Sequence, residues 1–155
     1  MRRDAEAGSG EGTVFDRLGE LPQVAALIGW TLVKLDRVAD SILLSFTAQP
    51  AFTNPAGYVH GGFITAMLDE CMGSAIVGLR DAAFLPATVS LSADFIAPVP
   101  PGVVLGEGRI TAIRHSSAFT EARLTDTEGT VLARATAVYR LRPFPPATAP
   151  DHVAR

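Results

Sequence analysis

Apolar and polar residues alternate along most of the second half of this chain. Val89, Leu91, Ala93 and Phe95 alternate with Thr88, Ser90, Ser92 and Asp94, the two-residue period of a strand with one buried face. Pro98, Pro100, Pro101 and Gly102 break the strand, and the strand signal resumes over residues 103–114, 119–125 and 131–141, with 126–129 as a turn. Upstream, residues 30–36 and 41–48 read as a hairpin joined by a turn at 37–40, with Ile42, Leu44 and Phe46 on one face. Residues 14–28 read as two short helical pieces, Pro22 starting the second and Gly29 ending it.

The period changes between residues 61 and 79. With Gly61 set at zero on a helical wheel, Ile64, Leu68, Met72, Ala75 and Leu79 fall within about 60° of it, an apolar stripe that must face a sheet. The predicted order is helix, two strands, one long helix, then about four strands. Hairpin-linked strands favour an antiparallel sheet, and the long helix is what it would wrap, so the expected class is α+β rather than a doubly wound sheet. No internal repeat is visible. Residues 1–12 are small, polar and Gly-rich and are expected to be a disordered tail; the body spans 13–142, and the Pro-rich segment 143–155 is expected to be an extended tail.

Composition narrows the class. At 155 residues, 48% hydrophobic and 19% charged, the chain suits one globular domain with its own core. A net charge of -3 gives no reason to expect nucleic acid as a partner. The single cysteine, Cys71, cannot form an internal disulfide, the N-terminal residues lack the apolar core of a signal peptide, and no run is expected to approach the roughly 18 apolar residues of a membrane helix. A cytoplasmic protein without membrane contact is expected. His60, His115 and His152 are too scattered to suggest a metal site, and no cofactor is implied.

One segment breaks local rules. In NPAGYVHGGFITAMLDECMG, residues 54–73, two glycines open an apolar helix although glycine weakens helices, and Asp69 and Glu70 sit among apolar residues where charge is costly. Unpaired amides at a helix N-terminus carry partial positive charge and suit an oxygen that becomes negative during reaction. Neighbours on a helix are 100° apart, so the two acids cannot share a face. Asp69 falls at about 80°, on the shoulder of the stripe, where it can reach a pocket at the edge of the core; Glu70, at about 180°, is expected to meet solvent or the N-terminal segment.

The element order, the spacing N54-x5-H60-G61-G62-x6-D69 and the segment TVSLSADFIAPVPPG (88–102) resemble the hotdog-fold acyl-CoA thioesterases, most closely the phenylacetate-pathway (PaaI-like) type, over roughly residues 24–142. The resemblance implies an antiparallel sheet curled around one long helix and subunits paired edge to edge as a homodimer or homotetramer, with active sites at the interface. It implies hydrolysis of acyl- or aroyl-CoA to free acid and coenzyme A, which is part of the substrate rather than a cofactor. Asp69 would be general base or nucleophile, with Glu70 the less favoured acid. The Gly61 amide would polarise the thioester carbonyl, and Asn54 and His60 would position the reacting groups.

Gly62 and Thr88 would contact substrate. Taken alone, several of these residues also have structural readings: His60 as a helix cap, Asn54-Pro55 as a turn, and Thr88 as a polar residue on the outer face of its strand. Arg80, Arg114, His115 and Arg123 are cations that could meet coenzyme A phosphates or simply be solvated, and Cys71 reads as a core filler. An enoyl-CoA hydratase on the same fold and a non-catalytic acyl-CoA-binding regulator are the rival functions. The first has a different Asp and His arrangement, and the second has no need of Asp69.

Overall fold

The computed structural model describes residues 12–144, so the two expected tails lie outside the described residues apart from Gly12, Pro143 and Phe144. The elements are α1 (Val14–Arg17), α2 (Gln23–Leu27), β1 (Thr31–Asp36), β2 (Ser41–Ala48), a 3₁₀ turn (Pro50–Phe52), α3 (Gly61–Leu79), β3 (Phe84–Phe95), β4 (Gly102–Arg114), β5 (Ser117–Thr125) and β6 (Val131–Pro143). The six strands form one antiparallel sheet in the order β1-β2-β4-β5-β6-β3, and α3 touches all of them. This is the hotdog arrangement: α+β, with one long helix enclosed by a curled sheet.

The predicted stripe of α3 is buried throughout, with Leu68, Met72 and Ala75 at 0% exposure. Burial extends beyond the stripe to Met67, Cys71 and Ile76, because the sheet wraps the helix instead of meeting one face. Each large side chain so buried contributes about 1.5–3 kcal/mol. By length and a mean hydropathy of 1.3, α3 would pass as a membrane span. The expectation that no run approaches that length does not hold for α3, because its two acids, Asp69 and Glu70, are too few to offset its apolar residues; its apolar surface lies against the sheet.

Two glycines on β4 allow the close approach. Gly106 and Gly108 occupy inward positions opposite Leu44 and Ile42 of β2. A Cβ at Gly106 would collide with Cys71 Sγ, and one at Gly108 with the Cys71 carbonyl. The Cys71 thiol is fully buried, and burial followed by the charge of Glu70 pushes its pKa well above the ordinary value, so it fills space and is no nucleophile.

Strand β3 departs from the sequence reading in two ways. It starts at Phe84, four residues before the clean alternation, and includes Pro86. Proline is tolerated there because β3 is an edge strand and an edge position can go without the N–H. Its pairing with β6 also slips between Thr88 and Ser90, so Val89 bulges out and is 65% exposed. The slip changes which face residues before it occupy. Thr88 points towards α3 and not outward with Ser90, as strict alternation would have it. At the C-terminal end β6 reaches Pro143, and the Phe144 amide donates to the Ala83 carbonyl, so these two residues belong with the body and not with the tail.

Candidate active site

The candidate residues fall into two groups on the one chain. The first is at the start of α3. His60 is the N-cap: its Nδ1 accepts from the Gly62 amide at 3.0 Å. A neutral imidazole bonded this way carries its proton on Nε2, which is left as a donor on an exposed ring. The cap occupies the Gly62 amide, so of the two glycines expected to meet substrate through the backbone, Gly61 is the one left open. Its amide has no acceptor among the described residues. The Gly61 Cα is also overlaid by an aromatic ring, since a Cβ there would stand 3.3 Å from Phe95 Cζ.

Asn54 closes a tight turn. Its Oδ1 accepts from the amides of Ala56 at 2.9 Å and Tyr58 at 3.3 Å, and the Nδ2 donors have no acceptor among the described residues. Asn54, Tyr58, Gly61, Phe95 and Ile96 line an open cavity of about 360 Å³.

The second group lies further along α3. Thr88 Oγ1 donates to Asp69 Oδ1 at 3.0 Å, and Tyr139 Oη donates to the same oxygen at 2.6 Å and also meets the Asp69 carbonyl at 3.1 Å. Two donors on one oxygen fix the carboxylate and leave Oδ2 without an intramolecular donor among the described residues. Tyr139 is 2% exposed; burial first, then its hydrogen bond to Asp69, pushes its pKa far above the usual phenol value, so it remains a donor. The sequence reading missed Tyr139. Alternation along β6 places it inward, and a buried tyrosine hydroxyl needs a partner. That the partner is Asp69 follows only from the register that sets Tyr139 opposite Thr88.

Asp69, Thr88 and Tyr139 line a cavity of about 280 Å³ between α3, the start of β3 and the N-terminal segment. Glu70 lines it too, half-buried beside residues 15–22, as expected of an acid facing that segment. Its pKa is raised, mainly by burial and secondly by the charge of Asp69. The two groups do not meet within one chain. Gly61 and Asp69 are eight residues apart on one helix, about 12 Å along its axis, and open onto different cavities.

The cations weighed for coenzyme A are mostly engaged. Arg80 pairs with Asp40 and Arg123 with Glu107, while Arg114 donates to the Ile113 carbonyl and His115 sits on the β4–β5 turn with φ 52°. A cavity of about 570 Å³ lies on the outer sheet face, where Arg134 with Asp94 and Arg123 with Glu107 neutralise one another. No cluster of three or more metal-binding side chains occurs among the described residues.

The fold agrees with comparison to known proteins. The sequence profile of the thioesterase superfamily matches residues 56–133, just over half of the chain and spanning α3 to the start of β6. The chain belongs to that superfamily. A stretch of 96 residues, 61% of this chain, is 29% identical to acyl-coenzyme A thioesterase THEM4 of Xenopus laevis, and spans 42% of that protein's length.

A phenylacetic acid degradation-related protein of Ralstonia eutropha JMP134 superposes with a TM-score of 0.77 at 27% identity, covering 82% of this chain and 98% of the other. The PaaI protein of the E. coli phenylacetic acid degradation operon superposes with a TM-score of 0.74 over 84% of this chain and 92% of its own; at 13% identity that is a likeness of fold alone.

Proposed function

We propose that the chain hydrolyses acyl-CoA or aroyl-CoA thioesters at a site shared by two copies of itself. The observation that carries this reading is Asp69, held through Oδ1 by Thr88 and Tyr139, with Oδ2 free of donors among the described residues, on the wall of a largely apolar cavity. A carboxylate fixed in this way suits general-base or nucleophilic work. Acting as a base, Oδ2 takes a proton from water, and the water oxygen attacks the thioester carbon. The carbonyl oxygen then becomes negative and meets the open Gly61 amide, whose place at the first turn of α3 adds the helix's partial positive charge. The C–S bond breaks, and the coenzyme A sulfur leaves with the proton from Asp69. The Asn54 Nδ2 and His60 Nε2 donors hold the substrate in register.

Because Gly61 and Asp69 of one chain are too far apart to act on one carbon, the amide belongs to one subunit and the acid to its partner. Edge-to-edge pairing of β3 with a second β3 runs the two α3 helices antiparallel, which brings the start of one towards the middle of the other. The likeness to an acyl-coenzyme A thioesterase supports the substrate class. A regulator that merely bound acyl-CoA would have no use for an acid oriented by two donors.

The test is incubation with short, medium, long and aromatic acyl-CoAs and detection of free thiol, with and without EDTA. Thiol release indifferent to the chelator is expected; none from any substrate would sink the proposal.

A further inference from the structure

The cavity beside Asp69 carries more than the reaction requires. Its walls are largely apolar, including Phe15, Leu18, Trp30, Val77 and Leu85, yet Glu70 projects into it and the exposed Glu20 stands among its lining. No Lys, Arg or His among the described residues lines it. Unlike Asp69, the Glu70 carboxylate is engaged by no hydrogen bond and no ion pair among the described residues; only burial and the neighbouring charge act on it. A half-buried carboxylate without a partner costs stability, and a ligand that supplied the missing donor would recover that cost. Asp69, which under the proposed reaction acts at the thioester carbonyl, lines the same cavity, so it is the place for the acyl group.

Resting on that reading, we infer that Glu70 selects the acyl group: the cavity takes a compact, mainly apolar acyl chain bearing a hydrogen-bond donor, a hydroxyl or an ammonium, that meets the Glu70 carboxylate, and it turns away acyl chains that end in a carboxylate. Among the described residues, the charged groups that share the cavity with Glu70 are Asp69 and Glu20, both acidic, with Tyr139 held as a neutral donor on Asp69. All of them disfavour a second carboxylate in the cavity. Sites built around a polar partner reject analogues lacking it far more strongly than apolar pockets reject a missing methylene.

The experiment reads binding apart from turnover. Non-hydrolysable thioether analogues of acyl-CoA, of matched short or medium chain and ending in methyl, hydroxyl, ammonium or carboxylate, are titrated calorimetrically into the full-length protein and into Glu70→Gln and Glu70→Leu. The native protein should bind the hydroxyl and ammonium analogues at least about tenfold more tightly than the methyl one, with the carboxylate weakest. Glu70→Gln should keep the hydroxyl preference and lose the ammonium one, and Glu70→Leu should favour methyl.

A native protein that binds methyl most tightly, or a ranking unchanged in both variants, overturns the inference. The near-isosteric Gln variant keeps the test decisive if Leu at this position does not fold. Thiol release is assayed separately, so its absence counts against hydrolysis while an unchanged ranking counts only against the part given to Glu70.

Discussion

At the scale of single residues, the two adjacent acids on α3 differ in what surrounds them. Asp69 is fixed by Thr88 and Tyr139; Glu70 is half-buried without a partner and its pKa is raised by burial. A raised carboxyl pKa means that the folded chain binds a proton more tightly than the unfolded one. The associated stability is therefore fully present below the unfolded value near 4.5 and is lost as pH rises through the higher folded value. Glu70→Gln, which is neutral throughout, should raise the melting temperature relative to the native protein more at pH 8 than at pH 4, as thermal unfolding across that range will reveal. A gap that stays constant would mean Glu70 is solvated.

The helical wheel separated Asp69 from Glu70 because helical geometry follows from spacing alone. Thr88 was ambiguous, since strict alternation puts it outside and only the bulge at Val89 turns it inward. Bulges leave little trace in a single sequence. Tyr139 was invisible as a partner because register, unlike period, is not written in either strand by itself.

At the scale of elements, the strand and helix periods were legible almost to the residue in α3, β2 and β4, where one face is apolar and the ends carry Gly or Pro. The early part of β3 was not legible, since Pro86 reads as a breaker until the strand is known to lie at an edge. The glycines of β4 had no evident purpose until α3 was seen lying on them. Gly108→Ala should push α3 off the sheet and cost about 1–3 kcal/mol or more. Gly73→Ala is the contrast: its Cβ would sit 4.0 Å from Pro86 Cγ, an ordinary contact within a helix, and should stabilise by up to about 1 kcal/mol. Urea unfolding of the two variants checks the pair, and equal effects would contradict the close packing of α3 on β4.

For the whole molecule, the sheet has two open edges of different character. β1 is six residues long, with a register slip between Leu32 and Lys34 and a lysine at the slip, features that blunt an edge. β3 is twelve residues long, runs without a break from Ser90 to Phe95, and leaves Phe95 and Ile96 more than half exposed. The proposed dimer pairs through β3, and light scattering at micromolar concentration should give at least twice the mass of one 16.3 kDa chain. Asp94→Pro, within the regular part of that strand, should lower the mass to a monomer and thiol release with it; a fully active monomer would contradict the shared site. Sequence spacing placed Asn54, His60, Gly61 and Asp69 in one motif, but spacing does not say whether residues of one motif act within one chain or between two.

The most direct test of a shared hydrolytic site uses two inactive variants. Asp69→Asn removes the acid and should lower kcat by about 10²–10⁴-fold while acyl-CoA still binds. A second variant, Asn54→Ala combined with His60→Ala, removes the donors at the start of α3. In a dimer containing one of each, one of the two sites keeps Asn54, His60 and Gly61 from the first chain and Asp69 from the second. Co-expressed with different affinity tags and purified through both, this mixed dimer should release thiol at about half the native rate per dimer. A mixed dimer as inactive as its two parents would place the whole site within a single chain and contradict the account.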